Sequence, residues 1–324
     1  MSISQIKIMY TVSLIRANSY QINELEKSIE NLLEPLGGIN AFVKAGDRVL
    51  LKPNLLTGSR PTKECVTRKE IVYCVAKMVK KAGGKPFLGD SPAFGSAMGV
   101  AKANGYLSLL KEFDLPIVEF HGKRYDIVSQ EFNHLRLSKE AMAADVIINL
   151  PKLKSHVQLT LTMGVKNLFG CVPGKMKAWW HLEAGKDADR FGKMLVETAK
   201  AINPDLTIFD SIIAQEGNGP IGGETRNLGI LGASTDVFAL DRTFLEILKV
   251  NPGEVPTVGV AEEMGFCSDL KRVDFPLLLP AEVEVENWQL PTTKKPIDFG
   301  IPRIIRSTFK HLYVKFIQEQ SLLL

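Results

Sequence analysis

The chain has 324 residues, of which 45% are hydrophobic and 23% are charged, a composition typical of a globular protein with a substantial core. The formal net charge of +4 is too small to indicate a nucleic-acid-binding protein. Because no run of about 18 apolar residues occurs, no membrane-spanning helix is predicted, and we expect a cytoplasmic protein of one large or two medium domains.

The N-terminal half of the chain predicts alternating strands and helices. Residues 1–20 lack the basic and apolar regions of a secretory signal and are better interpreted as a first strand. The elements predicted after it are a helix over residues 24–33 capped by Asn23, a strand over 47–51, a helix capped by Thr67, a strand over 86–88, a helix over 107–113 and a strand over 117–120. The order strand, helix, strand is typical of parallel crossover units.

The C-terminal half continues this alternation. It predicts strands over residues 146–150, 206–209 and 228–232, a helix over 188–202, and a helix in which Val237, Leu240, Phe244 and Leu248 repeat at helical spacing. The predicted fold class is therefore α/β, with a mostly parallel sheet and helices on both faces. We predict one such domain over residues 1–300, and a division into two subdomains stays open because the sequence marks no boundary.

Residues 301–324 predict a separate C-terminal amphipathic helix. Its apolar stripe consists of Ile305, Phe309, Leu312, Tyr313 and Phe316. The basic residues that lie among them are Arg303, Arg306, Lys310 and Lys315. A basic amphipathic helix can contact a membrane or a partner. Docking on its own domain is the favoured interpretation, because apolar stripes usually face a core.

Polar clusters follow several of the predicted strands. Lys52 and Asn54 follow one strand, Asp90 and Ser91 another, and Asp210 a third. In open α/β sheets, ligands bind outside the carboxyl ends of the strands. The recurrence of polar clusters at this topological position therefore predicts a ligand site at one edge of the sheet.

The strand over residues 146–150 leads into a predicted loop that is rich in cations. Lys152, Lys154 and His156 lie in it, and Lys166 and Asn167 follow. Lysine binds anions, and its pKa falls readily on burial, so Lys154 and Lys166 are candidates for anion binding, a base or a Schiff-base nucleophile.

His156 is a candidate acid–base group or metal ligand, and together with Lys154 and Lys166 it completes the candidate catalytic set. The alternative interpretation of this segment is a solvated basic loop. Solvation is the expected state of Lys175 and Lys177.

Two further sets of residues are candidates for binding. The candidate ligand-binding residues are Lys52, Asn54, Ser91, Asn167 and three glycines of a loop over residues 216–224, namely Gly217, Gly219 and Gly222. Glycines allow backbone amides to approach an anion closely, although this loop could equally be a flexible turn. Asp90, Asp210 and Asp236 are candidate ligands for a divalent metal, with helix or turn capping as the alternative.

The four cysteines, Cys65, Cys74, Cys171 and Cys267, argue against two kinds of site. None lies at C-x-x-C spacing, so no iron–sulfur or zinc site is predicted from local cysteine motifs. The cysteines are also too sparse to predict a disulfide framework like those of small secreted domains. The G-x-S-x-G motif of a common hydrolase class is also absent.

Six segments in order resemble the family called domain of unknown function 362. They are KPNLL at 52–56, GDSP at 89–92, ADVIINLPKLKSH at 144–156, GVKNLFGCVPG at 164–174, EGNGPIGG at 216–223 and DVFALD at 236–241. Many members of this family carry a C-terminal ferredoxin module. This chain has no cysteine after Cys267, so the resemblance implies redox work only together with a separate ferredoxin.

A fainter similarity is to the nickel-pincer lactate racemases, over His156, Lys166, Pro173-Gly174 and His181. Three hypotheses follow from the sequence. The first is a protein that binds an anionic small molecule, a metal or both, with a redox enzyme that works with a separate ferredoxin as one form of it. The second is a non-catalytic scaffold for an iron–sulfur partner. The third is a racemase-like enzyme whose lysine and histidines hold a nickel cofactor.

Overall fold

The computed structural model describes residues 10–58, 64–93, 95–120, 124–126, 129, 131–133, 135–184, 187–266, 269–297 and 313. The predicted C-terminal helix over residues 301–324 lies outside these residues, except for Tyr313, which is helical and exposed. The prediction of one domain over residues 1–300, with a division into two subdomains left open, stays a prediction.

Strands and helices alternate along the chain as predicted. The described strands are β1 Tyr10–Arg16, β2 Arg48–Pro53, β3 Lys85–Asp90, β4 Ile117–Glu119, β5 Arg124–Asp126, β6 Arg136–Ser138, β7 Val146–Leu150, β8 Lys152–His156, β9 Thr160–Thr162, β10 Leu206–Glu216, β11 Glu224–Ser234 and β12 Val273–Asp274. The described helices are α1 Ile22–Leu33, α2 Lys69–Lys81, α3 Ala97–Ala103, α4 Leu107–Glu112, α5 Lys139–Met142, α6 Gly164–Leu168, α7 Gly174–Glu183, α8 Ala188–Ile202, α9 Val237–Leu248 and α10 Pro256–Glu263.

Ten of the described strands form one mixed sheet. Its order is β12-β1-β11-β10-β7-β2-β3-β4, and β8 pairs with β10 and β9. The strands from β10 to β4 run parallel, whereas β11 is antiparallel to both β10 and β1. The prediction of an α/β fold with a mostly parallel sheet is therefore confirmed.

Helices cover both faces of this sheet, as the alternation within β2 illustrates. Val49 and Leu51 pack into the apolar cluster that includes α1 and α2. Leu50, between them, packs on the opposite face in the cluster that includes α8. Successive strand residues point to opposite faces, so a run of consecutive apolar residues requires a cover on each side.

Two predicted strand boundaries differ from the structure near the candidate site. Residues 152–156 form β8 and not a loop, because Lys152 and Lys154 pair with Asp210 and Gln215 of β10. Asp210 does not end its strand either, since β10 continues to Glu216. The lysines of β8 are therefore held on a strand, where a backbone ladder fixes their positions.

The two predicted helix caps are also wrong. Helix α1 begins at Ile22, and its N-cap is Gln21, so Asn23 lies inside the helix. Arg68 is the N-cap of α2, and the preceding Thr67 donates through Oγ1 to the Leu150 carbonyl at 2.7 Å. Thr67 thus joins the start of α2 to the end of β7.

Every helix in the described ranges is too short or too polar to cross a lipid bilayer.

Candidate functional site

A buried ion pair joins the carboxyl ends of β2 and β3. Lys52 Nζ lies 3.0 Å from Asp90 Oδ1. The carboxylate also accepts from the Leu55 amide at 2.7 Å and from the Ser91 amide at 2.8 Å. Gly170 packs directly on this pair: a Cβ there would lie 2.2 Å from Asp90 Oδ1 and 2.5 Å from Lys52 Nζ. Only glycine leaves room for the ion pair, which is therefore an internal clamp between the strand ends.

A second buried ion group surrounds Lys152 of β8. Its Nζ lies 3.1 Å from Asp210 Oδ2 and 3.1 Å from Glu64 Oε2. Asp210 also accepts from the Tyr20 hydroxyl at 2.5 Å and from the Arg68 amide at 2.8 Å. Burial, together with the Asp210 charge, raises the pKa of Tyr20 well above its usual value. Protein donors thus occupy both carboxylate oxygens of Asp210.

A chain of side-chain amides connects Lys154 to the strand ends. Lys154 Nζ donates to Asn54 Oδ1 at 2.7 Å and to the Cys65 carbonyl. Asn54 Nδ2 donates to Asn167 Oδ1 at 2.9 Å, and Asn167 Nδ2 donates to Asn149 Oδ1 at 2.8 Å. Neutral partners from two regions of the chain that are distant in sequence therefore fix the ammonium of Lys154.

Two further lysines lie beside Phe169. Lys166 of α6 is half-buried, and its Nζ is 4.8 Å from the ring centroid. Lys177 of α7 lies 5.8 Å from the same centroid and donates to the Ser91 carbonyl. The expectation that Lys177 is a solvated surface residue is therefore wrong, because the fold of α7 turns its ammonium onto Phe169 and Ser91.

The pKa values of Lys154, Lys166 and Lys177 are lowered. Burial is the main cause in each, and it brings the pKa to about 8 for Lys154, about 7 for Lys166 and about 8 for Lys177. Lys166 is lowered most, since Lys177, Lys154 and Lys52 all add positive charge around it. No salt bridge reaches these three lysines from the part of the chain that the structure describes. We name them the lysine cluster.

Two histidines border the lysine cluster. Burial, and then the charges of Lys166 and Lys154, hold the pKa of His156 well below its usual value, so its ring is neutral at pH 7. Its Nδ1 accepts from the Gln158 amide at 3.2 Å, which places the hydrogen of the neutral ring on Nε2. His181 of α7 has Nδ1 3.3 Å from the Ile297 carbonyl and stacks on Phe191.

A buried carboxylate from another helix holds α6 in position. Asp241 of α9 accepts from the Gly164 amide at 2.7 Å and from the Val165 amide at 3.0 Å. Burial raises the pKa of Asp241 to about 7. Because these amides begin α6, Asp241 orients the helix that carries Lys166 and Asn167.

The glycine loop over residues 217–223 packs beside β8 without offering its first amides to a ligand. Gly217 donates to the Gln289 carbonyl at 2.7 Å, and Gly219 donates to the Gly217 carbonyl at 2.9 Å. A Cβ on Gly219 would lie 2.0 Å from the Ser155 carbonyl oxygen. The glycines thus permit close packing on β8, and the prediction that they bind an anion, which included Gly222, gains no support.

The three candidate metal ligands do not gather at one point. Asp90 and Asp210 belong to the two separate ion groups. Asp236 is the N-cap of α9, and its Oδ1 accepts from the Ala239 amide at 2.6 Å. In the described ranges no group of three or more histidine, cysteine, aspartate or glutamate residues could hold a metal ion. The metal site therefore stays a prediction without structural support.

Several site residues were missed in the sequence. The missed residues are Tyr20, Glu64, Asn149 and Lys177, of which Lys177 was expected to be solvated. Asn149 carried a signal, because a polar side chain inside the apolar run of β7 is expected to have a buried partner. The others gave none, since their partners are far away along the chain.

Comparison with known proteins adds a relative and a family. A thylakoid-associated protein of Synechocystis sp. is 64% identical over 309 residues, covering 95% of this chain and 96% of that protein. The lactate racemase apoprotein from Thermoanaerobacterium thermosaccharolyticum is similar with a TM-score of 0.44 and 14% identity, covering 70% of this chain and 56% of that one. The model of the family described as a domain of unknown function, DUF362, matches residues 49–246. The chain therefore belongs to the DUF362 family.

Proposed function

We propose that this protein binds a small anion that bears a phosphate or carboxylate group, and that the lysine cluster is its binding site. The observation that supports the proposal is the convergence of Lys154, Lys166 and Lys177 without a carboxylate partner among the described residues. Cations removed from water are stable only when an opposite charge compensates them. A bound anion would supply that charge.

The other two lysines of this region provide an internal comparison. Lys52 and Lys152 are fully buried, and each has a carboxylate within about 3 Å. The fold thus supplies carboxylates where a lysine has a structural role. It supplies only neutral acceptors to Lys154 and Lys177, and an aromatic ring to Lys166. This difference favours a ligand-binding role for the lysine cluster.

Hydrogen bonds also hold two members of the cluster, Lys154 and Lys177, in place, which favours binding. The amide chain through Asn54 and Asn167 fixes Lys154, and the contact with Ser91 fixes Lys177. A site whose side chains are already ordered loses less conformational entropy when the ligand binds. We therefore assign Asn54, Asn167 and Ser91 the role of positioning the cations.

The first prediction concerns phosphate binding. Replacing Lys166 or Lys177 by methionine removes one charge-assisted contact, which is worth about 1.5–3 kcal/mol and corresponds to a loss of affinity of about 10-fold to 100-fold. Isothermal titration of the purified full chain with inorganic phosphate and with oxalate measures the change. The two titrations show whether the site prefers a tetrahedral or a planar anion.

Lys85→Met is the matched control for these variants. Lys85 is exposed at the first residue of β3, and therefore at the edge of the sheet opposite to the carboxyl ends. Its replacement should leave both titrations unchanged. Equal affinity of the parent protein and the Lys166→Met and Lys177→Met variants for both anions would refute the proposed function.

The second prediction concerns pH, with sulfate as the probe because its charge is constant over the range tested. The pKa values of about 7 and about 8 belong to the ligand-free lysines, and a bound anion favours their protonated forms. Binding therefore takes up protons, and affinity falls as pH rises from 6 to 9. Each lysine that must take up a proton contributes up to about tenfold per pH unit.

Calorimetry of sulfate binding in two buffers of different ionisation enthalpy measures this proton uptake directly. In Lys166→Met the decrease should begin nearer pH 8, because the group with the lowest pKa of the three is absent. An affinity for sulfate that is constant across the range would contradict the assignment of the lysine cluster.

A redox role with a separate ferredoxin and a scaffold role for an iron–sulfur partner stay proposals that rest on the family resemblance. A scaffold requires no small ligand. Anion binding that depends on the lysine cluster would therefore favour a ligand-binding protein over a scaffold.

The nickel hypothesis requires a histidine nitrogen with a free lone pair, and His156 is one of its candidates. Nδ1 of His156 accepts from the Gln158 amide, so Nε2 of the neutral ring bears a hydrogen and offers no lone pair to a metal. This arrangement does not fit a nickel ion held by His156, and we derive no chemical step from such a cofactor.

The location of the protein stays a proposal. The sequence predicts a cytoplasmic protein, whereas the name of the Synechocystis relative refers to association with thylakoids. With 64% identity between the two chains, peripheral association with such a membrane is the alternative proposal.

A further inference from the structure

Lys166 differs from the other members of the lysine cluster in its hydrogen bonds. Lys154 donates to Asn54 and Cys65, and Lys177 donates to Ser91. For Lys166 the described contact is with the ring of Phe169, which offers no lone pair. The residue as a whole is half-buried. The nitrogen lone pair of Lys166, once deprotonated, is therefore available for chemistry.

The backbone that carries Lys166 is fixed on both sides. Asp241 holds the first turn of α6, and Asn167, the next residue, donates to Asn149 Oδ1 and to the Lys52 carbonyl. A reactive group must be held by its surroundings in order to meet a bound ligand reproducibly. Lys166 has this support although its own amine makes no hydrogen bond within the described residues.

We propose that Lys166 is a nucleophilic amine that forms an imine with the carbonyl group of the bound anion, so that the ligand class is an aldehyde or 2-oxo acid bearing a carboxylate or phosphate. Lys154 and Lys177 would hold the anionic group beside it. This inference rests on the proposed function, since it requires the anion to bind at the lysine cluster.

The step balances without an oxidant or a metal. The neutral Nζ attacks the carbonyl carbon, the N–C bond forms as the carbonyl π bond breaks, and one proton passes from Nζ to the oxygen to give a carbinolamine. A second proton, taken up from water, lets that oxygen leave as water and gives the protonated imine, so each neutral amine that reacts takes up one proton. In the ligand-free site, burial and the neighbouring lysines lower the pKa of Lys166 to about 7, so about half of the amine is neutral at pH 7 when the carbonyl compound arrives.

The surroundings also suit the product. A protonated imine keeps the positive charge that the ammonium had, and Phe169 provides a ring face for it. The imine thus carries the same charge as the protonated lysine, and the anion stays compensated.

Trapping with glyoxylate tests the inference. The full chain is incubated at pH 7.5 with glyoxylate and sodium cyanoborohydride, and reduction of the imine leaves carboxymethyl-lysine, which peptide mass spectrometry locates. We expect Lys166 to be modified about tenfold faster, or more, than the exposed lysines Lys81 and Lys85, because the lowered pKa of Lys166 leaves a large share of its amine neutral at this pH. Added sulfate should slow the reaction at Lys166 and leave that at Lys81 unchanged.

Two results separate this inference from the proposed function. Modification of Lys166 no faster than of Lys81, in protein that binds phosphate at the lysine cluster, would overturn the imine and leave anion binding intact. Absence of phosphate binding would refute both the imine and the proposed anion binding. Lys166→Arg keeps a cation but cannot form an imine, so the modification at position 166 should vanish while Lys81 and Lys85 react as before.

Discussion

Replacing Lys152 by methionine is expected to lower the free energy of unfolding by about 3–5 kcal/mol, the range for breaking a buried ion pair from one side. Lys152 and Asp210 are both fully buried, with 3.1 Å between Nζ and Oδ2. Glu64 Oε2 lies equally close to the same ammonium. Methionine fills similar space but leaves these carboxylates without their main counter-charge.

Urea unfolding followed by circular dichroism measures this loss. Lys81→Met is the matched control, because Lys81 is exposed in the last turn of α2, and it should change stability by less than about 0.5 kcal/mol. Adding Asp210→Asn to Lys152→Met should recover part of the lost stability, since it removes a buried charge. A loss below about 1 kcal/mol in Lys152→Met would show that the ion group contributes little.

Replacing Gly170 by alanine is expected to lower the free energy of unfolding by about 2–4 kcal/mol, because overpacking and disturbance of a buried ion pair act together. The new Cβ would lie 2.2 Å from Asp90 Oδ1 and 2.5 Å from Lys52 Nζ. These atoms belong to a pair with almost no freedom to move, since Asp90 also accepts from Leu55 and Ser91. Thermal unfolding monitored by circular dichroism gives the measurement.

Gly174→Ala provides the comparison, four residues further along the chain. A Cβ at this exposed first residue of α7 meets Ser91 Oγ at 3.4 Å, which is an ordinary contact. Alanine also has a higher helix propensity than glycine, so stability should stay the same or rise by up to about 1 kcal/mol. If both alanine variants unfold like the parent protein, the ion pair of Lys52 and Asp90 can move away, and its role as a clamp is wrong.

The α/β fold could be predicted because its elements are encoded locally. The apolar run of β7 and the amphipathic repeat of α8 lie at the predicted residues 146–150 and 188–202. The errors occur where tertiary contacts override local preference. Residues 152–156 read as a polar loop because they are rich in lysine, yet pairing with β10 makes them a strand.

The candidate site was predictable in position but not in its internal connections. Lys52, Asn54, Lys154 and Asn167 were selected because they follow strands or lie in the central segment, and the structure joins them by hydrogen bonds. Asp236 was selected for its residue type, and it proves to be a helix cap. Position at a strand end predicted which residues lie together better than residue type did.

The sequence by itself determined the class of fold and the edge of the sheet where cations collect, since both follow from periodicity and from the order of elements. Only the tertiary structure decided which lysines are paired with a carboxylate and which are not. Lys152 and Lys154 are two residues apart on one strand, yet Asp210 lies against the first, and a carbonyl and an amide oxygen against the second. The physical reason is that charge interactions depend on distance in space, and the carboxylate that compensates Lys152 is 58 residues away along the chain.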